Sequence, residues 1–124
     1  MNDAAFSRLA AYVDRTPGAR TLSHGGADGG WWLKLSLDID DPLAWSVVQE
    51  YGHVLNLLSV EEPLPTLFRP VSPPPYLNGG PRGFLSWVIS CEAPGFTPDL
   101  AAEWLEGRLP RPVDDRKEWE PDAD

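Results

Sequence analysis

The sequence predicts an α+β domain: a small antiparallel sheet of three to four strands packed against one long amphipathic helix, with shorter helices toward the ends. Three observations carry this expectation. Residues 31–39 alternate apolar and polar side chains without a break, the period of a strand with one buried face. Residues 41–58 repeat apolar side chains at helical spacing behind an Asp-Pro start. A second strand-like run, residues 83–91, lies beyond a stretch too rich in proline to hold a helix.

Residues 3–14 read as a short helix. Asp3 stands at the capping position, and Phe6, Leu9, Ala10 and Val13 fall on one face. Thr16-Pro17-Gly18 ends it, and residues 18–30, with two Gly-Gly pairs, read as a flexible connection with little to bury. In the strand that follows, Trp31, Leu33, Leu35, Leu37 and Ile39 form the core side. Trp32, Lys34, Ser36 and Asp38 form the other. Asp41 can accept from the open N–H groups of a helix start, and Pro42 loses nothing at the first helical position. Spacing at 100° per residue puts Leu43, Val47, Val48, Tyr51, Val54, Leu55 and Leu58 on the inner face. Trp45, Gln49, Gly52, His53 and Asn56 face outward.

Seven prolines punctuate Pro63 to Pro81, where Thr66–Arg69 reads as a short edge strand and Pro73-Pro74-Pro75 as polyproline II. The 83–91 run is apolar on both sides, which places it centrally in the sheet, with Leu85, Trp87, Ile89 and Cys91 sharing a face. Thr97-Pro98 repeats the cap-plus-proline device at the start of a last helix, which ends near Gly107. The expected organisation is one domain over residues 1–112 and a solvated acidic tail over 113–124.

Composition narrows function. The chain has 124 residues and a formal charge of −9, and its last twelve residues carry six acids against two bases. That potential disfavours nucleic acid and anionic lipid and attracts basic partners. The arginines are scattered and form no basic stripe. No apolar run reaches the length of a membrane span or of a signal peptide, so the expected location is cytoplasmic.

Chemistry-bearing motifs are sparse. Cys91 is the only cysteine and falls on the buried side of its strand, where a thiol acts as a small hydrophobe. Asp38, Asp40 and Asp41 crowd together, but without the glycine and later glutamate of a calcium loop. Capping explains them better than a metal does. No phosphate loop, dinucleotide fingerprint or CxxC occurs, so no cofactor and no metal are expected. Trp45 and Trp32, on faces that periodicity assigns to solvent, are either covered by another part of the chain or exposed anchors. Gly52 beside Trp45 would admit the close approach of another backbone.

The stretch WWLKLSLDIDDPLAWSVVQEYGHVLNLLSVEEPLPTLFRPVSPPPYLNGGPRGFLSWVIS, with the later AAEWLEGRLPRPVDD, resembles the small bacterial immunity proteins of contact-dependent inhibition and polymorphic toxin systems. The resemblance rests on size, acidity and texture, and it implies a cytosolic, non-enzymatic protein that neutralises a cognate basic toxin. The residues expected to meet the partner are Trp32, Asp38, Trp45, Gln49, His53, Glu61 and Glu62. The alternative is a structural or adaptor subunit, homodimeric through Trp32 or Trp45. An enzyme comes third and would rely on carboxylates.

Overall fold

A computed structural model describes residues 3–27, 29–38, 40–57, 65–71, 84–93 and 95–120. The fold is α+β. Among the described residues, one antiparallel sheet of four strands, in the order β1-β2-β4-β3, carries three α-helices. The strands are β1 (Ala19–Ala27), β2 (Gly30–Asp38), β3 (Thr66–Pro70) and β4 (Phe84–Cys91). The helices are α1 (Ser7–Arg15), α2 (Ala44–Gly52) and α3 (Pro98–Arg108).

The alternation in β2 works as its period requires. Trp31, Leu33, Leu35 and Leu37 are buried, while Trp32 points away from the core. β4 lies centrally between β2 and β3, with Trp87, Ile89 and Cys91 buried on the same side. β3 is an edge strand, and Phe68 from it stacks on Trp87 at 4.8 Å. Against this face pack Phe6, Leu9, Tyr12 and Val13 from the N-terminal segment, Val47, Tyr51, Val54 and Leu55 from the second, and Ala101, Ala102 and Leu105 from α3.

Four expectations are corrected. Residues 18–30 are not a featureless connection, because Ala19–Ala27 pairs with β2 from Ala19↔Leu37 to Ala27↔Gly30. The strand has no apolar alternation because it is an outer strand held by its backbone ladder. The signal for its hairpin was Asp28-Gly29, and Gly29 has φ +82°.

The long helix expected over 41–58 is shorter. A nine-residue α-helix, Ala44–Gly52, widens into a π turn over His53–Leu57. In that turn the Leu55 carbonyl accepts from Thr66 Oγ1 at 3.0 Å. Asn56 pairs with both backbone groups of Phe68, donating to its carbonyl at 2.8 Å and accepting from its N–H at 2.7 Å. The wider turn is therefore docked onto β3, and Asn56 occupies backbone groups that an edge strand otherwise offers to other chains.

The start of α1 also differs. Asp3–Phe6 forms a 3-10 turn, and α1 begins after it with no side-chain cap. The fourth correction concerns the acidic tail. Val113 and Trp119 are each only 3% exposed, and Arg116–Trp119 forms a 3-10 turn that packs on the core. Trp119 donates its indole N–H to the Val113 carbonyl at 2.7 Å, and Arg116 grips Asp41 at 2.8 and 3.2 Å. The negative charge of this segment hid two apolar residues spaced to reach back to the core. The Thr97 cap, by contrast, forms as expected, with Leu100 N–H donating to Thr97 Oγ1 at 3.2 Å.

Candidate protein-binding surface

The Asp38–Asp41 turn sets the position of α2. Asp38 Oδ1 accepts from the Asp40 N–H at 3.0 Å, and Asp41 Oδ1 accepts from the Leu43 N–H at 2.9 Å. The Arg116 guanidinium beside Asp41 is the main reason its carboxyl stays below the usual carboxylate range. Burial opposes this, and the Leu43 N–H assists it. These carboxylates are thus committed to backbone and to Arg116. Among the described residues, no group of three or more His, Cys, Asp or Glu side chains is arranged to hold a metal ion.

From this start α2 turns Val47 and Tyr51 inward. The Tyr51 hydroxyl, fully enclosed, shares a 2.6 Å hydrogen bond with Thr16 Oγ1, and desolvation pushes its ionisation far upward. The opposite side of α2 and the π turn that continues it presents Trp45, Gln49 and His53, each four residues from the next and all exposed. Trp45 is 59% exposed, and most of the proline-rich stretch named as its alternative cover lies outside the described residues. Among the described residues, a Cβ on Gly52 would meet only Asn56 Nδ2 at 3.9 Å, so none of them brings a backbone close there.

Beside this stripe lies a groove of about 530 Å3 whose polar lining includes Gln49, Glu50, Arg108, Glu118 and Glu120. Three carboxylates face one cation, and that cation lies over the Trp104 ring at 5.0 Å. The packed tail therefore supplies two of the acids, which periodicity could not place next to α2.

Of the other expected contact residues, Trp32 and Asp38 belong to the sheet. Trp32 and Asp38 lie on the outward face of β2, six residues apart, roughly 20 Å by strand rise. Glu61 and Glu62 lie outside the described residues, as does most of the proline-rich stretch. His24, expected in a loop, sits in β1 and stacks on Phe6 at 4.3 Å.

The geometry around Cys91 does not favour nucleophilic chemistry. Burial pushes the thiol's ionisation up, and its nearest polar contacts are the Ala93 and Phe96 carbonyls at 3.7 and 3.9 Å. Among the described residues, no helix is long and apolar enough to cross a membrane. No family model, curated protein or solved structure matches the chain.

Proposed function

We propose that this chain is a protein-binding domain that takes a basic partner on the outer side of α2, acting as an immunity or antitoxin-like protein. The observation that carries the proposal is Trp45, a large apolar ring standing 59% exposed beside a groove with Glu50, Glu118 and Glu120. Tryptophan is enriched among the anchors of protein interfaces, and acids around one select a cationic partner. The net charge of −9 adds long-range attraction for such a partner. A cytosolic toxin domain with a basic active-site surface fits that description.

The test is capture of the partner from the native host, followed by binding kinetics over a salt series. Trp45→Ala should raise the dissociation rate and weaken binding by at least about 2 kcal/mol. Reversal of Glu50, Glu118 and Glu120 should mainly slow association, with the effect fading at high salt. An acidic partner, or binding indifferent to both changes, would refute this assignment.

A further inference from the structure

The sheet has a second face, and its chemistry is the reverse of the α2 surface. All three helices bury their apolar side chains in one cluster with the inward face, and Trp32, Leu67 and Val88 on the outward face take no part in it. The register sets the outward residues in rows across the sheet. Trp32, Ser90 and Leu67 form one row across β2, β4 and β3, and Lys34, Val88 and Arg69 form the next. Arg20 of β1 faces Ser36 in the row beyond. With strands about 4.8 Å apart, Lys34 and Arg69 stand roughly 10 Å apart across the patch, with Val88 between them.

Three features mark this as a recognition surface. The first is the aromatic. Trp32 is 38% exposed and Leu67 48%, and the Trp32 ring lies close over Gly25. A Cβ on Gly25 would stand 2.9 Å from Trp32 Cζ2, so the ring lies against the bare backbone of β1. The second is charge. Arg8, Arg15 and Arg116 each pair with a carboxylate, but among the described residues Arg20, Lys34 and Arg69 pair with none. Asp38 and Glu92 lie on this face only toward its ends. The third is shape. A groove of about 350 Å3 runs between Trp32 and Arg69 over Val88 and Ser90, with Glu92 the one carboxylate in its lining.

We propose that this outward sheet face binds an acidic segment of a partner protein, one that also carries aliphatic side chains. Arg20, Lys34 and Arg69 gather on this face of a chain of charge −9, so a carboxylate seated there meets cations that no described acid already pairs. Leu67, Val88 and the Trp32 ring supply the apolar contacts such a segment needs. A nucleic-acid strand fits less well, because it carries a phosphate at every nucleotide past the edge of a three-cation patch, against the repulsion of the rest of the molecule. The proposal goes beyond the α2 surface and is independent of it.

The test uses the intact chain, labelled with nitrogen-15, and three probes: an octapeptide alternating Glu and Leu, its Lys-for-Glu counterpart, and a uridine octanucleotide. The Glu peptide should shift the Trp32 indole signal and the amides of Lys34, Leu67, Val88 and Arg69. Its affinity should fall at least about tenfold in the double variant Lys34→Glu/Arg69→Glu and also in Trp32→Ala. Trp45→Ala should leave it unchanged, which separates this surface from the α2 reading. Circular dichroism checks that each variant is folded. No shift at millimolar peptide, equal binding of the Lys peptide, or preferential binding of the oligonucleotide would each overturn the proposal. So would sedimentation showing that a second copy of the chain covers the face.

Discussion

Replacing Trp119 with alanine tests whether the acidic C-terminal segment belongs to the folded domain. Its side chain is 97% enclosed, its indole N–H is bonded to the Val113 carbonyl at 2.7 Å, and its ring lies 6.4 Å from that of Tyr51. Truncating a buried tryptophan typically costs about 3–5 kcal/mol, the lost transfer energy plus the cavity left behind. For a chain of this length, 1 kcal/mol corresponds to roughly 4 °C in Tm. Trp119→Ala should therefore lower Tm by about 12–20 °C, a large part of the 5–15 kcal/mol typical of a domain. Trp119→Phe, which keeps a ring and loses the N–H donor, should give an intermediate value. Truncation after Pro112, which also removes Val113, should be at least as severe as the alanine change. The assay is thermal unfolding by circular dichroism, with a urea titration to confirm the transition. A shift below about 4 °C for Trp119→Ala would show that the segment is solvated and that its packing adds nothing.

Asn56→Ala should cost about 1–3 kcal/mol, since it strands the N–H and carbonyl of Phe68, and it should promote aggregation by freeing the edge of β3. Light scattering during a thermal melt reads both effects. Gly30→Ala places a Cβ 2.6 Å from the Cys91 backbone carbonyl, so β2 and β4 must part, at about 1–3 kcal/mol in a urea titration. The Asp41 carboxyl has its folded pKa depressed, chiefly by Arg116, so its contribution is present above the unfolded pKa of about 3.9 and is lost as pH falls through the lower folded value. The Tm gap between the native chain and Arg116→Ala should accordingly hold steady from pH 6 to 8 and close in acid below about pH 4. Calcium, magnesium or zinc should leave Tm unmoved, since Asp38 and Asp41 are engaged by backbone N–H groups and Arg116. A cation at a hundred times its Kd would add about 2.7 kcal/mol, an upshift that EDTA would reverse.

In β2, β4 and the second helix the period told which residues go inside, whereas α1 also buries Tyr12, outside its expected face. The inward residues of β2 and β4, the inward stripe Val47, Tyr51, Val54 and Leu55, and the Thr97 cap of α3 all follow from local spacing. The outward stripe Trp45, Gln49 and His53 was legible for the same reason. What periodicity cannot carry is a partner distant in sequence. β1 is a strand because β2 offers it a ladder, not because of its own side chains. The second helix stops short because Thr66 and Asn56 tie the following turn to β3. Trp119 is buried because a core cavity lies within reach of a segment whose average character is acidic. The charge of the outward sheet face was equally hidden. Lys34 and Arg69 are 35 residues apart in the chain, and only strand order sets them on either side of Val88 beside Trp32. Local sequence thus determined the buried faces of β2, β4 and the second helix, and tertiary pairing decided β1, the packed C-terminal turn and which faces meet, because hydrogen-bond ladders and charge patches are properties of neighbours in space.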